Sequence, residues 1–195
     1  MACQGKLRLP QRLITGHNEE GQSIILKDTD LGENAPFYEV PKLDGVNFAQ
    51  AYVTRGFPMD INPSETNKDG ADVGVYKDFL ASAPGLTVSN GTVLRYVDTP
   101  PGSTSAMHRT VSVDYGVVLE GEIELILDSG ETRLMKRGDV CVQRGTMHAW
   151  RNTSKTEWGR MLYILQPVQA FKIPGQEGEA KEDYGSLKGA LADSS

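Results

Sequence analysis

The chain has 195 residues, 38% of them hydrophobic, with 26 acidic against 20 basic residues and a formal net charge of −6 at pH 7. That size suits one domain around one core, and the negative balance opposes bulk attraction to nucleic acid. No apolar run approaches the ~20 residues of a membrane span, and the first twenty residues lack the apolar stretch of a secretory signal. The two cysteines, Cys3 and Cys141, do not make a disulfide framework. A cytoplasmic protein with a small-molecule substrate and no nucleic-acid or membrane partner is expected.

In chain order, residues 11–27 predict a hairpin or bent strand. Leu13-Ile14 and Ser23-Ile24-Ile25-Leu26 flank the turn-forming His17-Asn18-Glu19-Glu20-Gly21. His17 reads as a turn residue bonding nearby backbone. Residues 28–71 read as irregular apart from a strand over 48–54. The polar run 60–72 is either a lid over a nearby cavity or a plain surface loop, the second being simpler. Over 73–81 the spacing of Tyr76, Phe79 and Leu80 predicts a short helix.

From residue 86 the pattern becomes one of short strands: 86–89, 91–98, 106–111, 115–119, 122–127, 132–135, 139–143, 148–152 and 159–166. Turn signals separate several of them, such as Pro100-Pro101-Gly102, Asp128-Ser129-Gly130 and Arg137-Gly138-Asp139. Many short strands at this spacing indicate a jelly roll or similar sandwich. Beyond Gly175 the composition is polar, with a weak helix near 184–191. One structural domain results: an N-terminal arm, loop and short-helix segment over 1–85, a barrel core over 86–174, and a tail over 175–195.

Two histidine segments carry the chemistry. The first holds Gly102, His108, Thr110, Asp114 and Gly121; the second holds Gly138, Gln143, Gly145, His148 and Asn152. Two antiparallel strands of one small barrel would aim both imidazoles into one cavity. Alternation places Thr110 beside His108, and Gly116 and Val118 beside Asp114, with Gly116 leaving room for a ligand. It likewise places Trp150 and Asn152 beside His148. Tyr96, Trp150, Arg160 and Tyr163 are the expected substrate-binding residues.

This pair of segments resembles the two motifs of the cupin superfamily. The first motif runs Gly, five residues, His-x-His, three or four residues, Glu, six residues, Gly. The second ends in Pro-x-Gly, two residues, His, three residues, Asn. The resemblance covers about residues 88–166 and is similar to the small single-domain cupins of fungal natural-product pathways. It implies an all-β, cupin-type jelly-roll barrel with an N-terminal strand arm and one or two short helices, and a homodimer paired through such arms. Three positions depart from the motifs: Thr110 replaces the second histidine, Asp114 the glutamate, and Gln143 the proline. The implied cofactor is accordingly none or a weakly held divalent ion, with His108, Asp114 and His148 as ligands if one binds.

Three functions follow. The first is a lyase or isomerase of the dehydratase, decarboxylase or cyclase type, acting on a polyketide-like compound in secondary metabolism. His108 and His148 would serve as base and acid, Asp114 would orient an imidazole, and Thr110 would complete the catalytic set. The second is a metal-dependent, dioxygenase-like cupin. The third is a non-catalytic small-molecule-binding barrel. The first ranks highest because Thr110 weakens a metal site while leaving the proton-transfer groups intact.

Overall fold

A computed structural model describes residues 5–27 and 31–185. Its elements are β1 (Thr15–His17), β2 (Ser23–Ile25), β3 (Phe37–Glu39), β4 (Asn47–Arg55), α1 (Ala71–Ala81), β5 (Gly91–Thr99), β6 (Ser112–Glu120), β7 (Glu122–Leu127), β8 (Thr132–Lys136), β9 (Val140–Arg144), β10 (His148–Asn152) and β11 (Gly159–Pro167). Six strands form a large sheet in the order β3-β4-β5-β11-β6-β9. A smaller sheet, β10-β7-β8, faces it, and β1-β2 form a separate hairpin. The expected all-β jelly roll is what forms. Among the described residues no helix is long and apolar enough to cross a membrane.

Strand alternation divides the large sheet into a cavity face and an outer face. On β11, Met161, Tyr163 and Leu165 point into the sandwich and Arg160 points out. The register then dictates the neighbours: Tyr163 pairs with Arg95 on β5 and with Gly116 on β6, and Arg95 pairs with Gln50 on β4. The β4–β5 ladder shifts between Gln50 and Tyr52. This bulge reverses the parity of β4, so Tyr52 faces out. There it packs on Tyr76 of α1 with ring centroids 4.6 Å apart, and its hydroxyl donates to Asp72 at 2.6 Å. Helix α1 is thereby fastened to the back of the sheet, and β4 is buried on both faces.

The chain changes sheets at Gly121, between β6 and β7. Its φ of +78° lies in the region that favours glycine, and a Cβ there would come within 3.2 Å of Gly159 backbone. The small sheet gains further backbone partners at the first histidine segment. His108 and His148 exchange reciprocal backbone hydrogen bonds of 2.9 Å, while Arg109 exchanges a pair with Asp183.

Several expectations are corrected. Residues 106–111 are not a strand but two isolated bridges, because His108 pairs with β10 whereas Arg109 pairs with the C-terminal segment. Residues 86–89 bury Leu86, Thr87 and Val88 without joining a ladder. The three-residue β3 was too short for its alternation to register. It and β4 are hydrogen-bonded members of the large sheet, so the barrel does not begin at residue 86. His17 ends β1, and the turn begins at Asn18. The tail returns to the barrel at Asp183, and Tyr184 packs against the core. The helix expected over 184–191 falls almost wholly outside the described residues, as does Cys3.

The outer face is organised by one buried ion pair. Arg160 meets Asp98 side-on in a bidentate pair, donating from Nε to Oδ1 at 2.5 Å and from Nη2 to Oδ2 at 2.6 Å. Its Nη1 donates to the carbonyl of Arg8, and its Cζ lies 5.0 Å from the Phe37 ring centroid. The N-terminal arm is thus tied to the back of the sheet. A buried carboxylate that loses its cation is strongly unfavourable, whereas replacing both partners by apolar groups is far less so. Arg160→Met is expected to lower the unfolding free energy by about 3–5 kcal/mol, measured by urea denaturation. The double variant Asp98→Leu/Arg160→Met is expected to recover most of that loss.

Candidate active site

Between the two sheets lies a cavity of about 630 Å³. The large sheet contributes Arg95, Asp114 and Tyr163, the opposite wall contributes His108, His148 and Trp150, and Thr110 enters from the segment before β6. The reciprocal backbone pair sets the imidazoles side by side, with ring centroids 4.2 Å apart. Trp150 lies edge-on to His148 at 5.6 Å and to Tyr163 at 5.8 Å, closing an aromatic wall.

Both imidazoles are held by main chain. His108 Nδ1 lies 2.9 Å from the carbonyl of Ala106, and His148 Nδ1 lies 3.0 Å from that of Thr146. A carbonyl only accepts, so each Nδ1 carries the proton and each Nε2 keeps its lone pair. Asp114 does not orient either ring, contrary to expectation. Its Oδ1 accepts from Ser112 Oγ at 2.6 Å and its Oδ2 from Thr110 Oγ1 at 3.1 Å. Thr110, which stands where the related motif has a histidine, thus supports the carboxylate.

Burial separates the titrations. It pushes both histidines down, His148 to about 3, with the adjacent His108 ring adding to the effect. Burial pushes Asp114 up to about 6, opposed by its two hydroxyl donors and the charge of Arg95. The Tyr163 phenol is driven far up by burial, then by Asp114. Near neutral pH the cavity therefore holds two uncharged imidazoles and a carboxyl whose titration has moved up to about 6. Environments that push neighbouring groups apart in this way suit acid–base work.

The expected residues His108, Thr110, Asp114, His148, Trp150 and Tyr163 meet in the cavity. Tyr96 and Arg160 do not: both lie on the outer face, where Tyr96 stacks on Phe37 and Arg160 binds Asp98. Alternation explains the error, since Arg160 and Tyr163 are three apart on one strand and take opposite faces. Gly116 does not make room for a ligand either. A Cβ there would come within 2.9 Å of the Tyr163 ring, so its bareness admits that ring. Two contributors were missed. Arg95 pairs in register with Tyr163 and so shares its face. Gln143, in the motif's proline position, donates from Nε2 to the Thr146 carbonyl at 2.8 Å, the carbonyl that fixes His148. Asn152 bonds the carbonyls of Thr99, Pro100 and Glu157, closing one end of the cavity.

A divalent ion would find two imidazole nitrogens here. The third position offers a threonine hydroxyl already bonded to Asp114, a poor donor to soft or borderline ions. Among the described residues no three His, Cys, Asp or Glu side chains converge as a metal site. The trio His108, Asp114 and His148 therefore does not fit a three-ligand ion as it stands.

Residues 95–165 match the family described as Cupin domain. "Phomopsin biosynthesis cluster protein C'" of Diaporthe leptostromiformis is 46% identical, covering 88% of this chain and 85% of its own. "Oryzines biosynthesis cluster protein J" of Aspergillus oryzae is 45% identical, over 91% and 92% respectively. A "Cupin-domain-containing oxidoreductase" of Aspergillus ruber is 38% identical over 89% and 82%. Among solved structures, the polyketide cyclase RemF of Streptomyces resistomycificus is a distant likeness, with a TM-score of 0.43 and 15% identity over 76% of this chain and 75% of its own. The chain belongs to the cupin family.

Two predictions follow from the site. A histidine depressed below its unfolded value contributes stability that is complete above about 6.5 and is lost as pH falls below it. Asp114, raised to about 6, contributes in the opposite sense: its stabilisation is present below the unfolded value of 3.8 and is lost as pH rises through about 6. Two imidazoles outweigh one carboxyl, so thermal stability is expected to fall between pH 7 and pH 5. Relative to the unmodified protein, His148→Asn should flatten that fall and Asp114→Asn should steepen it, read by calorimetry. Thr110→His adds a third imidazole and is expected to raise bound zinc or iron, measured by elemental analysis after metal-free purification.

Proposed function

We propose that this protein is a lyase or isomerase that moves protons on a small, polyketide-like molecule during dehydration, decarboxylation or cyclisation in secondary metabolism. The observation that carries this reading is the pair of backbone-held imidazoles, both with an available Nε2 and both uncharged at neutral pH, facing a carboxyl that titrates near 6. An Nε2 lone pair takes a proton from an acidic C–H. A protonated carboxyl, or the imidazolium formed in that step, returns one to the leaving or carbonyl oxygen. Trp150 and Tyr163 exclude water from the flat part of the substrate. The names of the phomopsin and oryzines relatives support a biosynthetic setting.

A second reading is a metal-dependent oxidoreductase. It is favoured by the four relatives named as cupin-domain-containing oxidoreductases, at 36–40% identity. Against it stand Thr110 in a ligand position and the two hydroxyl donors that engage Asp114.

Deuterium wash-in at the activated C–H of a panel of aryl and alkyl β-keto esters, followed by NMR in D₂O, separates the two. Protein-dependent exchange is expected to persist with a strong chelator, and to drop about 10²–10⁴-fold in His108→Ala and His148→Ala. Exchange that a chelator abolishes and one divalent ion restores would favour the second reading. Exchange unchanged in both histidine variants would remove the two imidazoles from the chemistry.

A further inference from the structure

Arg95 is the largest fully buried side chain among the described residues, 1% exposed, and it lines the same cavity. A guanidinium is rarely placed so deep without a counter-charge, because removing a charge from water is costly. Two of its nitrogens are accounted for. Nη2 donates to the Gly85 carbonyl at 2.7 Å, and Nε donates to Gln50 Oε1 at 3.3 Å. The face of the guanidinium lies 4.9 Å from the Phe48 ring centroid. These contacts hold the group in one orientation. Nη1, though buried, has no hydrogen-bond partner among the described residues.

Asp114 does not supply the missing partner. Its oxygens accept from Ser112 and Thr110, and no ion pair between Arg95 and an acid forms among the described residues. Asp114 projects from β6, two strands from Arg95, and lies one inward position along from Gly116, which shares the row of Arg95 and Tyr163. The ties to Gly85 and Gln50 would suffice for a purely structural arginine. They leave one buried N–H without a protein partner, on an arginine that lines a ligand-sized cavity.

We propose that Arg95 is a substrate-recognition residue whose Nη1 receives an anionic oxygen, so that the cavity selects small organic acids carrying a carboxylate or enolate. Arg95 stands on the large sheet and the imidazoles on the opposite wall. The cavity of about 630 Å³ is large enough for a small arylalkenoic acid. A molecule spanning the cavity places its anionic end on Arg95 and its reacting carbon near the two Nε2 atoms. The assignment names the substrate class for the site of the proposed proton-transfer chemistry and rests on that reading only for the identity of the far end.

The test needs no turnover. Binding of trans-cinnamate, cinnamamide and cinnamyl alcohol is measured on the full chain by calorimetry, with Trp150 fluorescence as a second readout. The unmodified protein is expected to bind the carboxylate about ten-fold or more tighter than the isosteric amide, as hydrogen bonds to charged groups are the stronger kind. Arg95→Met should erase that preference while changing amide affinity less than about three-fold, and Arg95→Lys, a point charge without the planar fork, should keep only part of it. Equal affinity for carboxylate and amide in the unmodified protein overturns the assignment without any variant. So does a preference retained in folded Arg95→Met, or no cinnamate binding at millimolar concentration. Loss of the carboxylate preference with histidine-dependent exchange intact would sink Arg95 alone. Carboxylate preference without exchange would sink the proton-transfer reading alone.

Discussion

The site depends on one backbone interaction, the reciprocal hydrogen-bond pair between His108 and His148. It joins a segment with no continuous ladder of its own to the edge strand of the small sheet. Opposed residues of an antiparallel pair put their side chains on the same face. The pair therefore delivers two imidazoles to one wall of the cavity, with ring centroids 4.2 Å apart. Each ring is then turned by a carbonyl two residues upstream, Ala106 or Thr146. Those carbonyls lie two residues before the paired histidines, so tautomer and orientation need no carboxylate.

That arrangement frees Asp114 for a different part. In a site where an acid orients histidine, the acid is ionised and spent. Here two hydroxyls hold the carboxyl, and burial raises its titration to about 6. The departures from the related motif thus form a consistent set. Thr110 supplies a donor to Asp114 where a histidine would supply a ligand, and the shorter acid sits within reach of Ser112 and Thr110. Gln143 replaces the stiffness of a proline with hydrogen bonds to Thr146, which steadies His148. Each change adds a hydrogen bond that holds another cavity residue in place, and Arg95 adds a guanidinium to the same lining.

Much of this was legible residue by residue. The spacing of Gly102, His108, Asp114 and Gly121 and of Gly145, His148 and Asn152 located the site, and period-two alternation on β10 placed Trp150 beside His148. Arg160 and Tyr96 were misplaced because polarity suggested a pocket role that strand parity denies. Their true partners, Asp98 and Phe37, lie on strands distant in sequence. Arg95 was missed for the converse reason. An arginine in a strand ordinarily points to solvent, and only its register with Tyr163 shows that it points inward.

The amino-acid sequence by itself determined the architecture and the address of the chemistry, because strand alternation, glycine-marked turns and motif spacing are local properties of the chain. Tertiary structure decided what each polar group does. The Nδ1 partners of the histidines, the hydroxyl cradle of Asp114 and the unpartnered Nη1 of Arg95 depend on which strands lie side by side. So does burial, which separates the titrations of the histidines and Asp114, since desolvation is set by everything packed around a group rather than by its neighbours in the chain.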